Sequence, residues 1–559
     1  MEKNTVIGLD LETSGLSPWR DAIATVQLYG DQTGDVAVLS VLGSVSENLR
    51  KLFENPNKTF VLHNGVGFDL LFLASYGVDI HRASWYDTMV GEGVVTTSGR
   101  RDVSVSLRNT MKRRLGVDSK KEIDHTGWMN PTLTEEQLQY AAQDVLTLPA
   151  IMRAQMDKAE DQRRSVDARN ALKMEMELAP IIAQMTVNGM PINLDMLRQY
   201  EAVQSVSQKK AHQELLSLAG GEVNVNSPKQ VKELFESLGI SLPDTRRETL
   251  GDLAHRTAGS KGAKLAHLVL EERHANQRLS MYSDEWVSKH VVAGRVHPRY
   301  WQVGADTGRF TCSNPNMQQV PKDARGVFGW TPGCKVVGAD YSQIEVVISA
   351  QMSGDDHFLD AVLNGQDTHA MIASNVFRVP TAKVTPQQRT MAKAATFTLL
   401  FGGAPSTIQS YAASYGERIS DMQAEEIAQR FFNAFPGVQD MRERAIYLAR
   451  SRRVVPVYLA NGMRRVLVGK KLRPAVMLNT VVQGTAAIGI KQALIESHHA
   501  GLTQWLALSV HDEIVCADVP DADTEDVLHA LETAMLRGMK KTIDVDVKVG
   551  GYSSDEWKS

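Results

Sequence analysis

The sequence predicts a multidomain protein that combines an α/β unit with an α+β unit. Its 559 residues correspond to three or four domains, and an apolar content of 43% suffices for several cores. Strand-like runs over residues 6–11, 23–29 and 36–41 indicate an α/β unit within the first 155 residues. Later in the chain, two strand-like runs that end on carboxylates flank a helical segment, which indicates an α+β unit.

The most informative carboxylates lie in two segments far apart in the chain. Residues 336–345 read VVGADYSQIE, and residues 509–514 read SVHDEI. Each is an apolar run that ends on acids, so Asp340 and Asp512 are predicted as ligands of divalent ions at the edge of a sheet. Two such ions about 4 Å apart can activate an attacking hydroxyl and stabilise the leaving oxygen during phosphoryl transfer. Either segment alone would fit an ordinary acidic surface turn better.

A single helix is predicted between these two segments, beginning at Pro386. Thr385 suits its N-cap, Pro386 suits the first helical position, and the glycine pair Gly402 and Gly403 suits its end. Four side chains recur at every fourth position: Arg389, Lys393, Phe397 and Phe401. They share a stripe roughly 120° wide. Cations and rings on one face suit a nucleoside triphosphate, with phosphates at one end and sugar and base at the other.

A second set of acids lies near the N-terminus. The alternation of residues 5–12 places Asp10 and Glu12 on one face of a strand and apolar residues on the other. Asp69 follows at some distance, and Tyr140 and Asp144 lie one helical turn apart. Taken singly, Asp69 would be read as a loop cap and Tyr140 as a core ring. Taken together, the four acids and the tyrosine favour a catalytic role over these separate roles.

These motifs together resemble the family A DNA polymerases, the class of bacterial DNA polymerase I and many phage replicases. Three segments match the family's motifs A, B and C in family order: 340–345, 389–402 and 511–513. Other segments resemble its primer-template, minor-groove and triphosphate-contacting elements: 307–310, 314–321, 483–487 and 367–369. The N-terminal acids resemble the ribonuclease H-like 3′–5′ exonuclease domain in its tyrosine-containing, DEDDy form.

The resemblance implies a right-hand polymerase behind an exonuclease domain. The expected divisions are the exonuclease at 1–155, a connecting helix and lead into the palm at 156–189, the thumb at 190–300, the palm with motif A at 301–349, the fingers with motif B at 350–470, and the palm with motif C at 471–559. Residues 156–173 are expected to form a polar helical connection between the two parts.

The resemblance also implies a role for each site residue. Metal would be bound by Asp340, the Tyr341 carbonyl and Asp512, with Glu513 as a nearby acid and Lys393 as proton donor to pyrophosphate. The dNTP would be contacted by Tyr341, Gln343, Glu345, His369, Arg389, Lys393, Phe397 and Phe401, with Glu345 as steric gate against a ribose 2′ hydroxyl. Primer-template DNA would be contacted by Arg309, Asn479, Gln483 and His511. In the exonuclease, Asp10, Glu12, Asp69 and Asp144 would hold two metals, and Tyr140 would orient the attacking water.

The implied cofactor is Mg²⁺, two ions per active site, with Mn²⁺ as an expected substitute. The implied partners are primer-template DNA, dNTPs and, in the exonuclease site, single-stranded DNA; we expect a monomer.

The cysteines Cys312, Cys334 and Cys516 lack metal-ligand spacing and fit a reducing cytosol. No apolar run reaches 18 residues, so no membrane span is predicted. The N-terminus lacks the features of a secretion signal, so a cytoplasmic location is predicted. This would be the host bacterial cytoplasm if the protein is phage-encoded.

The net charge of −4 requires DNA contacts to come from local basic patches. Residues 442–473 contain ten cations against one acid, which predicts contact with template or single-strand phosphates. A second basic cluster comprises Arg100, Arg101, Lys112, Arg113, Arg114, Lys120 and Lys121. It fits a solvated face and a guide for frayed primer ends equally well.

Some positions of the chain depart from the family's usual residues. Phe401 replaces a usual tyrosine, Ile488 replaces a common aspartate, and Arg325 alone is a candidate for the family's phosphate-facing arginines.

A single-subunit RNA polymerase would lack both the gate at Glu345 and a proofreading exonuclease. A non-catalytic DNA-binding scaffold would have lost metal-site acids, and all six expected acids are present. The compact two-activity layout favours phage genome replication over gap-filling repair.

Overall fold

A computed structural model of the chain describes residues 1, 3, 5–96, 103–118, 127–160, 168–256, 259–364, 367–414, 419–469 and 472–558. Within these residues, one continuous apolar core runs from the N-terminal sheet to the C-terminal sheet. A helical unit in the middle of the chain has a separate apolar core. The two predicted sites therefore lie on parts of the protein that are packed together.

The N-terminal unit is a five-stranded sheet of order β3-β2-β1-β4-β5 with helices against it. Its strands are β1 (Val6–Thr13), β2 (Ile23–Gly30), β3 (Val36–Ser40), β4 (Thr59–Leu62) and β5 (Ser84–Asp87). Its helices are α1 (Glu47–Phe53), α2 (Asp69–Ser75), α3 (Thr88–Val95), α4 (Leu107–Leu115), α5 (Glu135–Leu146) and α6 (Leu148–Ala159). β1 is central, antiparallel to β2 and parallel to β4. The three strands predicted from the sequence are confirmed.

Helix α7 (Arg169–Asn188) connects the N-terminal unit to the rest of the chain. It packs against α2, α3 and β5 on one side. The predicted helical connection over 156–173 divides between two helices, because α6 ends at Ala159 and α7 begins at Arg169. Residues 161–167 lie outside the described part of the chain.

Four helices form the unit with the separate core. They are α8 (Leu194–Ala219), α9 (Pro228–Glu236), α10 (Arg247–Arg256) and α11 (Lys261–Met281). Helix α8 packs along α11, and α10 also packs against α11. Side chains of Leu215, Val231, Phe235, Leu265 and Val269 fill the space between the helices. Tyr200 of α8 and Arg278 of α11 both contact Asp323, which connects the unit to the rest of the chain.

Strand β6 (Met190–Pro191) comes before this unit in the chain, and helix α12 (Asp284–His290) comes after it. The short strands β7 (Val291–Val292), β8 (Arg295–Val296), β9 (Arg299–Trp301) and β10 (Thr311–Ser313) then lead to the long β11 (Cys334–Tyr341), an inner strand of the second large sheet. Strands β6, β8 and β7 form one small sheet, and β9 pairs with β10. These short strands connect the helical unit to both large sheets.

Seven helices and one hairpin come next in the chain. They are α13 (Ile344–Ser353), α14 (Asp356–Leu363), α15 (Thr368–Phe377), α16 (Pro386–Leu400), α17 (Pro405–Ser414), α18 (Asp421–Ala434), α19 (Pro436–Ser451), β12 (Val454–Tyr458) and β13 (Arg464–Val468). Helix α16 is the predicted nucleotide helix. Thr385 caps it in a full capping box with Gln388, and the chain turns at Gly402 with a φ of 72°.

The second large sheet has four antiparallel strands of order β14-β15-β11-β16. The remaining elements are α20 (Pro474–His499), β14 (Leu506–Val510), β15 (Glu513–Pro520), α21 (Thr524–Lys540) and β16 (Val549–Ser554). Helices α20 and α21 pack on each other, and α7 contacts α20 and β14. Among the described helices, none combines the length and apolar character that a membrane crossing requires.

Candidate active sites

Three carboxylates converge above strand β1 in the N-terminal unit. Ligand oxygens of Asp10, Glu12 and Asp144 all lie within 4.8 Å of one another. In the described residues, no other group of three or more His, Cys, Asp or Glu side chains converges in this way. Gly8 lies on the same face of β1, where a Cβ would be 2.6 Å from the Val145 carbonyl oxygen. The missing side chain therefore allows α5 to bring Asp144 close to the two acids of β1.

Asp69 and Tyr140 complete the set that the sequence predicts. Asp69 is buried at the start of α2, and its Oδ1 has no hydrogen-bond partner. Burial raises the pKa of Asp10, and the charges of Asp69 and Asp144 raise it further. Burial, together with Asp10 and Asp144, raises the pKa of Glu12 to about 8, and burial raises that of Asp69 to about 8. The Tyr140 phenol is hydrogen-bonded to Asp144, as the helical spacing predicted.

This cluster fits divalent metal ions. Close carboxylates repel one another when ionised, and burial deprives them of hydration. A divalent cation with oxygen ligands compensates both costs. The unpartnered Oδ1 of Asp69 and the raised pKa values of the group are the features expected of carboxylates shaped to hold such ions.

Asp87 is a residue of this site that the sequence analysis missed. It lies at the end of β5 and is buried. Its carboxylate accepts four backbone N–H groups, from Asn64, Val66, Met89 and Val90, at 2.9–3.3 Å. These bonds hold the turn that leads into α2 and hence to Asp69. An aspartate followed by threonine before an apolar run is an N-cap pattern, which was the available signal.

The sheet brings the two acids of the polymerase motifs together. Asp340 is solvent-exposed near the end of β11 and pairs in register with Glu513 of β15. Asp512 lies in the two-residue turn between β14 and β15, and its carbonyl accepts the Tyr341 N–H at 3.2 Å. His511, the other turn residue, has a left-handed φ of 56°. The turn of this hairpin places Asp512 beside the end of β11.

Asp512 lies among charged side chains. Burial raises its pKa to about 6; Arg309 opposes this rise, and Glu345 and Asp340 add to it. Glu345 lies in the first turn of α13, which follows Gln343 in a left-handed conformation with φ 54°. Asp340, Asp512 and the nearby Glu345 carboxylate lie where the strands of this sheet end, and this arrangement fits divalent ions as the first site does.

Glu513 differs from the other motif acids because its carboxylate is already fully engaged. Its Oε1 accepts hydrogen bonds from the Tyr552 hydroxyl at 2.8 Å and the Trp557 indole at 3.1 Å. Its Oε2 accepts one from Arg325 at 3.1 Å, and that guanidinium lies 4.2 Å from the Trp557 ring centre. Glu513 thus fastens the C-terminal segment to the sheet. Arg325, the candidate phosphate-facing arginine, is used in the same contact.

The predicted nucleotide face of α16 is present and accessible. Arg389 is exposed, and Lys393, Phe397 and Phe401 are half-buried, while the other positions from Ala394 to Leu400 are buried. Arg389 donates to Asp367 at 2.5 Å. The His369 ring lies 5.9 Å from that of Phe397. Burial, with Lys393 and Arg389 nearby, lowers the pKa of His369 to about 4, so this ring is neutral near pH 7.

Helix α20 presents the other predicted DNA contacts. Asn479 and Gln483 lie one turn apart, and both are half-buried. The next residue, Gly484, approaches the chain near Arg309: a Cβ there would lie 2.9 Å from the Thr307 carbonyl oxygen. Because glycine permits this approach, the segment that carries Arg309 lies directly against the helix that carries Gln483.

Some cations of the two basic clusters have partners within the protein, so for these residues a purely DNA-binding or solvated role is wrong. Arg465 is buried and donates to the Asp306 carbonyl at 2.9 Å, and Arg442 donates to the Gly403 carbonyl at 2.8 Å. In the second cluster, Arg113 and Arg114 bind the buried Glu92 at 2.8–3.0 Å. Lys112 pairs with Asp118 at 2.9 Å. The remaining predictions for these clusters concern residues outside the described part of the chain: Arg100, Arg101, Lys120, Lys121, Lys470 and Lys471.

Comparison with known protein families identifies the larger part of the chain. The family model for DNA polymerase family A matches residues 194–559. The chain belongs to this family. A second family model, 3′–5′ exonuclease, matches residues 1–158 of the polymerase. The protein is therefore a DNA-directed DNA polymerase with a 3′–5′ exonuclease domain ahead of its polymerase domain, and both domain families use divalent metal ions.

Several bacterial DNA polymerases I are similar to this family A polymerase. The Aquifex aeolicus enzyme is 28% identical over 100% of this chain and 96% of its own length. The enzymes of Chloroflexus aurantiacus and Pseudomonas aeruginosa are 29% and 27% identical over 91% and 100% of this chain. The chain spans 56% and 64% of those two relatives.

One solved structure shares the fold of the polymerase. It is described as the POL domain of Pol1 from M. smegmatis in complex with DNA primer-template and dNTP. The TM-score is 0.81 at 23% sequence identity, over 99% of this chain and 95% of the other. The likeness confirms the fold expected from the sequence, an α/β exonuclease domain followed by a mixed polymerase domain.

Proposed function

We propose that this polymerase extends the 3′ end of a DNA primer with dNTPs on a template and removes 3′-terminal nucleotides at its second site. The observation that carries the proposal is the pair of separate carboxylate sites. Asp340 and Asp512 lie at the edge of one sheet, and Asp10, Glu12 and Asp144 converge above another. Extension and excision are thereby assigned to different parts of one chain.

The cofactor we propose is Mg²⁺, two ions per site, with Mn²⁺ able to substitute. Asp340, Asp512 and the Tyr341 carbonyl would hold it in the polymerase domain, and Asp10, Glu12, Asp69 and Asp144 would hold it in the exonuclease domain. When bound, such ions lower the pKa of the attacking hydroxyl or water and stabilise the charge on the leaving oxygen. Glu513 supports the hairpin that bears Asp512, since its own oxygens are occupied by other side chains.

The exposed stripe of α16 is proposed to bind the incoming nucleotide. Arg389, Lys393 and His369 would contact the phosphates, and Lys393 would donate a proton to the departing pyrophosphate. Arg389 is paired with Asp367 in the structure, so phosphate binding would exchange one anionic partner for another. Phe397, Phe401, Tyr341, Gln343 and Glu345 would surround the sugar and base, with Glu345 excluding a 2′ hydroxyl.

Two further surfaces are proposed to contact DNA. Arg309, Asn479, Gln483 and His511 would contact the minor groove of the primer-template, where acceptors are present at every correct base pair. In the exonuclease domain, Tyr140 would orient the attacking water next to Asp144, to which it is hydrogen-bonded. Single-stranded DNA would be the substrate there.

The remaining assignments rest on the same reasoning. We propose α8–α11 as the thumb within 190–300, α13–α19 and the β12–β13 hairpin as the fingers within 350–470, and the four-stranded sheet as the palm. We propose a cytoplasmic location, which the three free cysteines support because they fit a reducing compartment. We also propose a monomer. The bacterial relatives support gap-filling repair as one role, and phage genome replication stays a prediction from the compact layout.

The two-site assignment is tested by removing each set of acids separately. Replacing both Asp10 and Glu12 with alanine should abolish excision of single-stranded DNA in Mg²⁺ while primer extension continues. Asp512→Ala should abolish extension and leave excision intact. Glu214→Gln, an exposed glutamate of α8, serves as a control and should retain both activities. Persistent excision by the pure Asp10/Glu12 variant would contradict the assignment.

A further inference from the structure

A compact loop follows the strand that carries the exonuclease acids. This loop, residues 14–22, is called the strand-end loop. Asp21 braces it from within: its carboxylate accepts the Ser17 N–H at 2.9 Å and the Ser14 hydroxyl at 3.4 Å. The Ser14 hydroxyl oxygen in turn accepts the Ala22 N–H at 2.9 Å. A Cβ on Gly15 would lie 2.5 Å from the Asp21 carboxylate, so the loop is tightly closed.

The position of the strand-end loop is linked to that of Glu12. The loop begins two residues after Glu12, and the pairing of β1 with β2 shifts register between Glu12 and Thr13. Such an irregularity re-aims side chains at the end of a strand. Because little backbone separates the loop from Glu12, a displacement of the loop would change the position of the Glu12 carboxylate.

The strand-end loop is held from outside by the polymerase domain. Arg299 of β9 donates from Nη2 to the Leu16 carbonyl at 2.6 Å. The Trp19 ring stacks on the His297 ring, with centroids 4.0 Å apart and planes 25° apart. Arg20 donates to the Ser288 carbonyl at 3.1 Å, at the end of α12. Three separate contacts therefore join this loop to residues 288–299.

The partners on the polymerase side are themselves firmly placed. His297 is buried, and its Nδ1 lies 3.0 Å from the Thr186 carbonyl oxygen of α7. Burial lowers the pKa of His297 to about 4, so a neutral ring stacks on Trp19. Arg299 pairs with Ser313 in the β9–β10 ribbon. The loop is thus attached to ordered elements, as a precisely placed catalytic group requires.

We propose that Arg299 and His297, both in the polymerase domain, are positioning residues for excision, because they hold the strand-end loop and through it the Glu12 carboxylate. The inference rests on the proposed exonuclease function of the acid cluster. It implies that the exonuclease domain reaches its full activity only when the polymerase domain holds this loop in place.

The experiment measures excision of a single-stranded oligonucleotide and extension of a matched primer for variants of the full chain. Arg299→Met keeps the aliphatic stem and loses the donor to Leu16, and Trp19→Ala loses the ring stack. Each should lower the maximal excision rate by about tenfold, since small displacements of catalytic groups cost that much or more, and should leave extension unchanged. Arg299→Lys keeps a cationic donor and should recover most of the excision rate, and Trp19→Phe should do the same.

Arg50→Met is the matched control. Arg50 also donates to backbone carbonyls within the exonuclease domain, including that of Tyr76 at 2.9 Å, but it does not contact the strand-end loop. This variant should excise at the wild-type rate. The inference would be overturned if folded Arg299→Met and Trp19→Ala excised at the wild-type rate. It would also be overturned if these variants lost extension as much as excision and Arg299→Lys restored neither activity. If wild-type protein itself fails to excise, the proposed function fails instead.

Discussion

The Arg309 guanidinium donates a hydrogen bond to the Glu345 carboxylate, with 2.6 Å between Nη2 and Oε1. Both charges act on Asp512: burial raises its pKa to about 6, Arg309 lowers it and Glu345 raises it. One ion pair therefore links a proposed primer contact, the proposed sugar gate and a proposed metal ligand. Substitution of either partner should affect sugar choice or the protonation of Asp512, and the two effects can be measured separately.

Glu345→Ala should weaken the discrimination against ribonucleotides. If the side chain occupies the space of a 2′ hydroxyl, its removal should raise the ratio of ribonucleotide to deoxyribonucleotide incorporation by about tenfold or more, even while overall rates fall. The measurement is kcat/KM for both nucleotides in a background lacking Asp10 and Glu12. Glu345→Gln keeps the volume and loses the charge, so it should stay close to wild type. An unchanged ratio for the alanine variant would exclude a gate at this position.

Arg309→Met should move the acid limb of the extension pH profile to higher pH. Asp512 must be ionised to bind metal, and Arg309 favours the ionised form, so its loss should raise the pKa of Asp512 further above 6. The profile is recorded at a sub-saturating Mg²⁺ concentration, where protons and metal compete. Arg295→Met, which loses a contact with Asp518 instead, is the control. A lower rate with an unmoved acid limb would show that Arg309 acts on DNA alone.

The metal-free protein should lose stability as pH rises, because of the exonuclease acids. Glu12 has a pKa of about 8 in the folded protein against an ordinary value of 4.5, so between these values the folded state keeps a proton that the unfolded state loses. The free energy of unfolding therefore falls as pH rises through this window. In EDTA, Glu12→Gln should melt above wild type at about pH 9 and close to it at about pH 4.5.

The same melting measurements are repeated with Mg²⁺ in place of EDTA. Mg²⁺ should raise the melting temperature of wild-type protein at high pH, because it binds only the folded acid cluster, and should raise that of Glu12→Gln less. Glu214→Gln, an exposed glutamate outside the cluster, should follow wild type throughout. Identical melting curves for Glu12→Gln and wild type would mean that neither burial nor the neighbouring acids raise the pKa of Glu12 in the folded protein.

Phe397→Tyr should improve the use of dideoxynucleotides. Phe397 is half-buried on the proposed nucleotide face, and a phenylalanine offers no hydroxyl to replace the missing 3′ oxygen of the sugar. A tyrosine hydroxyl that makes one hydrogen bond is worth about 1 kcal/mol, so termination should rise by about fivefold. A termination ladder gives the measurement. Phe401→Tyr adds the same group at the C-cap of α16 and should leave dideoxy use unchanged.

The sequence by itself determined features that depend on neighbouring residues in the chain. The alternation around Asp10 and Glu12, the caps of α16 and the stripe from Arg389 to Phe401 are all present in the structure. Each follows from a local rule, the period of a strand or helix or the chemistry of a cap or turn, so the printed order of residues contains the necessary information.

Only the tertiary structure decided which partners distant side chains meet. Charge patterning predicted a DNA contact for Arg465 and left a solvated face and a primer guide equally open for Arg114, yet both side chains are used inside the protein, and nothing near them in sequence reveals the Asp306 carbonyl or Glu92. The N-cap pattern at Asp87 does not reveal that its carboxylate also holds Asn64 and Val66, and Arg299 became recognisable only through its contact with Leu16. The physical reason is that a charged side chain takes the partner that packing brings within hydrogen-bond distance, and packing is set by the whole fold rather than by local sequence.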